Sequence, residues 1–155
     1  MDPKQLSQAY PLLFWAVLFP LFFLAIWSGG VALASYLGGW NALSKVYSAI
    51  GPFDGAKWKC QSGQMRYGAN YNNCLTVGAD PVGLYLDVLF LFKFKHPALL
   101  IPWSEISVRR RKVWIFGEWA VLTLGRETGV TLTIRSSLAE KLKAASMGRW
   151  PVDQV

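Results

Sequence analysis

The fold of this chain is decided by the stretch Pro11–Leu37, which reads PLLFWAVLFPLFFLAIWSGGVALASYL. No charged residue occurs in it, nor anywhere between Lys4 and Lys45. About 20 apolar residues in an α-helix, at roughly 1.5 Å each, cross a lipid core about 30 Å thick. The span must be helical, because the bilayer centre offers no water to backbone N–H and C=O groups. The stretch therefore predicts one transmembrane helix, which with its flanks makes up residues 1–39.

Three residues interrupt the apolar pattern of this span. Pro20 removes one backbone donor and is expected to kink the helix. Gly29 and Gly30 either let another helix approach closely, as small residues do in lipid, or form a flexible exit from the bilayer. Pro20, Gly29 and Gly30 are therefore the candidate residues for helix packing in the membrane.

A cleaved secretory signal is the competing interpretation, because Ala32-Leu33-Ala34 resembles a cleavage site. The apolar region is long for a signal and its lead, MDPKQ, is barely positive, so an uncleaved anchor is favoured. Lys45, Lys57 and Lys59 follow the span. By the positive-inside bias, the C-terminal part is expected in the cytoplasm and the short N-terminus outside.

Residues 40–55 predict an amphipathic helix and a linker. Trp40, Leu43 and Tyr47 recur at helical spacing, and Gly51-Pro52 ends the pattern. The helix either lies in the lipid headgroups or is the first helix of the following domain, packed on its core. The second interpretation is slightly favoured.

Residues 56–148 predict the folded domain. Apolar and polar residues alternate in about seven short segments, as in half-buried strands. One such segment, Leu84–Phe94, is long for a single strand and is expected to contain a bend. Ser137 with Glu140 is typical of a capping box and predicts a C-terminal helix. The fold class is therefore a single N-terminal transmembrane α-helix plus a mainly antiparallel β domain with a C-terminal helix; the tail, residues 149–155, is expected to fray.

Two short elements carry a resemblance to known proteins. They are Gly83-Leu84-Tyr85-Leu86 and the segment His96–Ile106, which reads HPALLIPWSEI and is followed by a basic strand. This pattern resembles small uncharacterised bacterial membrane-anchored proteins with a PH/GRAM-like domain. The resemblance implies a PH-like α+β fold, a bent sheet plugged by the C-terminal helix, and a single-pass location in the bacterial inner (cytoplasmic) membrane. It implies no activity, since that fold serves many unrelated binding roles.

The net charge of +7 lies entirely in residues 41–155, which hold fifteen Lys or Arg and eight Asp or Glu. Beside a membrane, such an excess predicts attraction to anionic lipid headgroups, worth about 1 kcal/mol per basic residue. Nucleic acid is another usual partner of a basic domain. No recognition helix, zinc pattern or RNA-binding aromatic signature occurs in the sequence, so no nucleic acid is expected.

The densest charge run is Arg109-Arg110-Arg111-Lys112. On a strand, alternation sends two of these cations to each face, whereas in a loop all four converge. One hypothesis is a patch that binds anionic lipid or phosphate; the other, slightly favoured by sequence, is a solvated edge that resists strand pairing. The nearby segment WIFGEW predicts a hairpin tip whose aromatic residues contact headgroups or a partner. The candidate lipid- or partner-binding residues are Arg109, Arg110, Arg111, Lys112, Lys93, Lys95, Trp114 and Trp119.

No pattern in the sequence predicts catalysis, a cofactor or a metal site. His96 is the single histidine and precedes a proline, which is typical of a turn residue. With one histidine, Cys60 and Cys74 lack the ligand spacing of a zinc site. Neither a glycine-rich phosphate loop nor a nucleophile elbow occurs. A disulfide between the two cysteines stays open, although in a cytosolic domain plain buried side chains are favoured.

The sequence patterns favour one function and keep one alternative open. The favoured one is a non-catalytic binding module, anchored at the cytoplasmic face of the membrane, that binds a protein partner, anionic lipid headgroups or both. The alternative is a structural accessory subunit of a larger integral membrane complex, with the kinked, glycine-containing helix as its docking element.

Overall fold

The computed structural model describes residues 3–113 and 117–154, and its first element is a long apolar helix. Helix α1 is Pro3–Gly38 and continues through Pro11 and Pro20. Its segment Phe14–Gly38 has a mean hydropathy of 2.1 and is long and apolar enough to cross a membrane. The side chains from Phe14 to Trp27 are all exposed, so this part of the helix does not belong to the core of the domain.

The rest of the described chain is a curled antiparallel sheet with two short helices, α2 (Trp40–Tyr47) and α3 (Ser136–Ala145). Single 3₁₀ turns lie at Arg66–Gly68, Phe90–Phe92 and Trp103–Glu105. The N-terminal apolar helix, the antiparallel sheet and the C-terminal helix predicted from the sequence are confirmed. The strands are β1 (Ala56–Met65), β2 (Asn70–Ala79), β3 (Gly83–Val88), β4 (Leu99–Pro102), β5 (Ile106–Val113), β6 (Gly117–Leu124), β7 (Val130–Arg135) and β8 (Asp153–Gln154).

The strand order is β4-β3-β2-β1-β7-β6-β5-β8. Strands β1 to β4 form one meander and β5 to β7 a second, and the two join where Gln64 of β1 faces Thr133 of β7. Strand β8 adds a short parallel edge to β5. Irregular register in β1 and left-handed backbone at Cys60 (φ 54°) and Asn73 (φ 52°) bend the β1–β2 hairpin. This bend lets both meanders curl around one core.

The core lies inside this curl and is closed by both short helices. Apolar residues of β6 and β7 alternate with outward polar ones, as period-two strands require. Leu138 and Leu142 of α3 cover these strands. Trp40 and Leu43 have no exposed surface, so α2 is the first helix of the domain, packed on its core.

The last part of α1 packs directly against the domain. Val31 and Ser35 are buried there, and the Ser35 hydroxyl donates a 2.6 Å hydrogen bond to the backbone oxygen of Lys95. The Trp27 indole N–H donates to the backbone oxygen of Leu91 at 3.2 Å, and its ring lies 5.2 Å from that of Phe92. Helix and domain are therefore joined by packing as well as by the chain.

His96 is buried at this junction, although it follows a turn as the sequence suggested. Its Nδ1 lies 3.0 Å from the backbone oxygen of Phe94, and its Nε2 lies 2.9 Å from the Tyr71 hydroxyl. Because a carbonyl only accepts, Nδ1 donates to Phe94; in the neutral imidazole Nε2 then accepts from the Tyr71 hydroxyl. Burial lowers the pKa of His96 and raises the pKa of Tyr71.

Two segments after β2 bear on the sequence predictions. The segment Leu84–Phe94 contains the expected bend: strand β3 ends at Val88, and the chain then turns through Phe90–Phe92 to meet α1. The tail does not fray over its described residues. Trp150 packs on Trp103 at 5.4 Å, and β8 pairs with β5.

The start of α3 and the state of the two cysteines complete the description of the domain. Helix α3 begins at Ser136, with Arg135 at its N-cap and no capping side-chain bond, so the predicted capping box of Ser137 is not formed. Cys60 is exposed, Cys74 is buried, and both are free thiols.

Replacing Gly39 by alanine is expected to weaken the junction between α1 and α2. Gly39 has φ +86°, and an added Cβ would lie 2.6 Å from Val130 Cγ2. The strained backbone and the clash should lower the free energy of unfolding by about 2 kcal/mol. Thermal unfolding of the full chain in detergent measures this loss. The matched control is Gly29→Ala, where the added Cβ meets nothing within 4 Å; an equal loss in both variants would contradict the explanation.

The stability of the domain is expected to fall as the pH drops through about 6.5, the ordinary pKa of histidine. Because the folded-state pKa of His96 is lowered, the unfolded chain binds the proton first and acid favours unfolding. The stabilising contribution of neutral His96 is fully present above its pKa in the unfolded chain. It is lost as the pH falls towards its lower pKa in the folded chain. Melting temperatures measured between pH 7.5 and 5.5 should decline more steeply in the wild type than in His96→Gln. Parallel declines would show that another group is responsible.

Candidate binding groove on the outer face of the sheet

The basic run lies on strand β5 and is divided between the two faces of the sheet. Val108 is buried in the core, so alternation places Arg110 on the core side and Arg109 and Arg111 on the opposite, outer face. Both Arg109 and Arg111 are exposed. The run therefore does not converge as it would in a loop.

Arg110 and Lys112 form ion pairs with other parts of the domain. The Arg110 guanidinium lies 2.5 Å from a carboxylate oxygen of Glu140 on α3. Lys112 lies 3.9 Å from the carboxylate of Glu118 on β6 and is largely exposed. Exposed pairs of this kind contribute about 1 kcal/mol or less. These two cations thus act within the domain, and they line no part of the outer groove.

A groove of about 600 Å³ lies on the outer face and crosses β5, β6, β7, β1 and β2. Its basic wall is a cross-strand row in which Arg111 pairs with Trp119 and Trp119 pairs with Arg135. The Arg135 guanidinium lies 5.5 Å from the Trp119 ring centre, a cation–π contact. The facing wall consists of neutral polar side chains: Ser62, Gln64, Asn70, Asn72 and Asn73.

The chemistry of this groove suits an anion that carries hydroxyl or amide groups. Arg111 and Arg135 offer planar guanidinium donors, which bind phosphate or carboxylate in a bidentate manner. The amide side chains offer both donors and acceptors, and Trp119 offers a flat apolar surface. None of the described lining residues is a carboxylate. Arg109, paired with Val121 of the lining, adds a third cation on the same face.

The other predicted site residues lie elsewhere. Lys93 pairs with Asp87 at 3.1 Å, on the loop after β3 that contacts α1. Lys95 lies on the same loop. Neither lysine lines the groove, so the structure does not join them to Arg111. Trp114 lies outside the described residues.

The three residues predicted to pack against another helix lie on the exposed part of α1. Pro20 is exposed, and an added Cβ at Gly29 or Gly30 meets nothing within 4 Å. Gly30 also lines an apolar cleft between α1 and the sheet.

Sequence reasoning missed Arg135 and the asparagines as site residues. Arg135 ends the clearest predicted strand, and its outward direction follows from the inward Ile134. Its neighbours are set by the pairing of β7 with β6 and of β1 with β7, which joins residues far apart in the chain. No local pattern carries that information.

A second, apolar cleft of about 380 Å³ lies between α1 and the sheet, with Trp27, Tyr71, Phe92 and His96 among its lining residues. The Tyr71 and His96 polar groups bond to each other there, which is typical of a structural contact. Among the residues that the structure describes, no three His, Cys, Asp or Glu side chains are grouped so as to hold a metal ion.

The architecture is thus an N-terminal apolar helix joined to a curled antiparallel β domain with a basic outer groove. Comparison of the chain with models of known families, with curated proteins and with solved structures finds no match.

Proposed function

We propose that this protein is a single-pass, non-catalytic binding module of the bacterial inner membrane, and that its groove binds the anionic headgroups of lipids. The observation that carries the proposal is the groove itself. Arg111 and Arg135 flank Trp119 there, and no described lining residue is a carboxylate that would neutralise them. In this proposal the β domain lies on the cytoplasmic side, where Lys45, Lys57 and Lys59 follow the span.

The exposed apolar part of α1 supports the membrane anchor. Tyr10 and Trp27 are aromatic residues of the kind found at bilayer boundaries. They are seventeen positions apart. In a helix this is about 26 Å, close to the thickness of the lipid core. Because Trp27 is bonded to Leu91 of the domain, the domain begins where the lipid core ends.

The position of the groove supports lipid as the ligand. Asn73 in the groove precedes Cys74, whose backbone oxygen accepts a 2.8 Å hydrogen bond from Leu89. Leu89 in turn precedes the loop that contacts Trp27. The polar wall of the groove therefore lies close to the loop that contacts Trp27, and Trp27 marks the level at which headgroups are expected.

The proposed fold class is PH-like. Two meanders of four and three strands, curled around one core and closed by α3, support this assignment. The short elements around Gly83-Leu84-Tyr85-Leu86 and His96–Ile106 support it independently through their resemblance to PH/GRAM-like domains. The assignment adds no activity of its own.

The second candidate function is a structural accessory subunit of a larger membrane complex. The open space beside Gly29 favours it, because a neighbouring helix has room to approach there. Purification of the full chain in a mild detergent distinguishes the two functions. Stoichiometric co-purifying membrane proteins would support the accessory subunit.

Short-chain lipids test the binding function. Dihexanoyl-phosphatidylglycerol, added to the full chain in a neutral detergent, should raise the melting temperature, whereas dihexanoyl-phosphatidylcholine should not. In Arg111→Gln/Arg135→Gln, the affinity should fall about fivefold for each arginine, given about 1 kcal/mol per basic residue. The effect should weaken with added salt.

The matched control is Lys141→Gln/Arg149→Gln, which removes the same charge from exposed positions outside the groove. It should keep the affinity of the wild type. Equal losses in both double variants would leave only a nonspecific charge effect and would refute the groove as the site. Tighter binding of a polyglutamate peptide than of the phospholipid would instead favour an acidic protein partner.

A further inference from the structure

The loop between β3 and β4 exposes an unusual amount of apolar surface. Phe90 is 77% exposed, and Leu91 and Phe94 are each 53% exposed. Isolated exposed apolar residues are common, but three large ones within five residues form a patch. A domain surrounded only by water gains nothing from this arrangement.

The backbone of the loop is well fixed, so the exposure is not that of a loose segment. Phe90–Phe92 is a 3₁₀ turn, in which the Phe92 N–H donates to Leu89 at 2.8 Å and the Lys93 N–H donates to Phe90 at 3.2 Å. The Phe92 side chain turns inward against the Trp27 ring. The side chains of Phe90, Leu91 and Phe94 are left exposed.

The loop contacts α1 at the end of its exposed apolar segment. The Trp27 indole donates to the backbone oxygen of Leu91, and Ser35, two turns further along, donates to that of Lys95. The exposed apolar side chains of the loop are therefore next to those of the helix. The patch thus lies where the exposed apolar segment of α1 ends.

Two cations stand among the apolar side chains of the loop. Lys93 and Lys95 are both exposed; Lys93 pairs with Asp87 at 3.1 Å, and the Lys95 ammonium lies 5.9 Å from the Phe94 ring centre. Long basic side chains beside aromatic residues are typical of the bilayer boundary, where the stem lies in the apolar layer and the ammonium reaches the phosphates. This charge selects a lipid surface over a neutral apolar partner.

We propose that the β3–β4 loop is a second membrane contact: Phe90, Leu91 and Phe94 insert into the boundary of the leaflet from which α1 emerges, and Lys93 and Lys95 contact its phosphates. The inference rests on the proposed single-pass anchor. Together the two contacts hold the domain in one orientation. The polar wall of the groove and the β3–β4 loop lie at the same end of strands β2 and β3. This orientation therefore turns the groove towards the headgroups.

Site-directed fluorescence of the full chain, one copy per lipid nanodisc, tests the insertion. Cys60→Ser removes the exposed thiol, while Cys74 is buried and burial raises its pKa, so it stays unlabelled. An environment-sensitive fluorophore is attached to Phe90→Cys, and the acyl chains are either plain or brominated. The label should emit at shorter wavelength than in water and lose most of its intensity in the brominated lipid.

Two further labels serve as controls. Val82→Cys, 61% exposed at the opposite end of β3, should emit as in water and stay unquenched. Leu21→Cys, 57% exposed in the middle of α1, reports the anchor itself and should be quenched. If the label at Leu21→Cys is not quenched, the proposed anchor fails. If it is quenched and the label at Phe90→Cys is not, the loop inference alone is overturned.

Two results at Phe90→Cys overturn the inference in different ways. Emission as in water means that the loop stays outside the bilayer. Short-wavelength emission without quenching means that protein covers the patch. A quenched label should lose most of its quenching when Leu91→Ser and Phe94→Ser are added, because the remaining loop no longer inserts.

Discussion

The packing of the last turns of α1 against the sheet is the contact on which the rest of the structure depends. A helix that ended in a flexible linker would let the domain rotate freely. Here the chain passes from α1 through the left-handed Gly39 into the fully buried Trp40. The Trp40 indole donates to the backbone oxygen of Pro97 at 2.9 Å, and its ring packs on His96. The direction of α1 therefore fixes the direction of the sheet.

The short basic run on β5 contributes to two different faces of the sheet. Strand alternation sends Arg110 to the core side, where it pairs with Glu140 and ties β5 to α3. The same alternation presents Arg111 outward beside Trp119. One strand thus contributes to the closure of the core and to the outer groove. Because α1 and the sheet form one unit, the outward residues keep a constant direction relative to the helix.

The sequence predicts those features that depend on local pattern and misses those that depend on long-range pairing. The uncharged run gives the helix, and the alternation in β7 gives a strand whose inward residues are correctly identified. The groove needs Gln64 to face Thr133, a pairing that no local period encodes. The bend expected within Leu84–Phe94 is present, but its position is not encoded locally either. The alternation continues past Val88, whereas the backbone leaves the sheet there and Phe92 packs on Trp27.

In the proposed function, the anchor also explains why the groove needs few cations. A soluble protein that binds membranes must obtain all its affinity from the surface contact, which favours large basic patches. A tethered domain meets its ligand at the high effective concentration set by the tether, so weak contacts suffice. In the proposed function, α1 supplies the attachment and Arg111 and Arg135 supply only the choice between headgroups. In the same proposal the amide-lined wall opposite them faces the parts in which headgroups differ, so it matters as much as the charge.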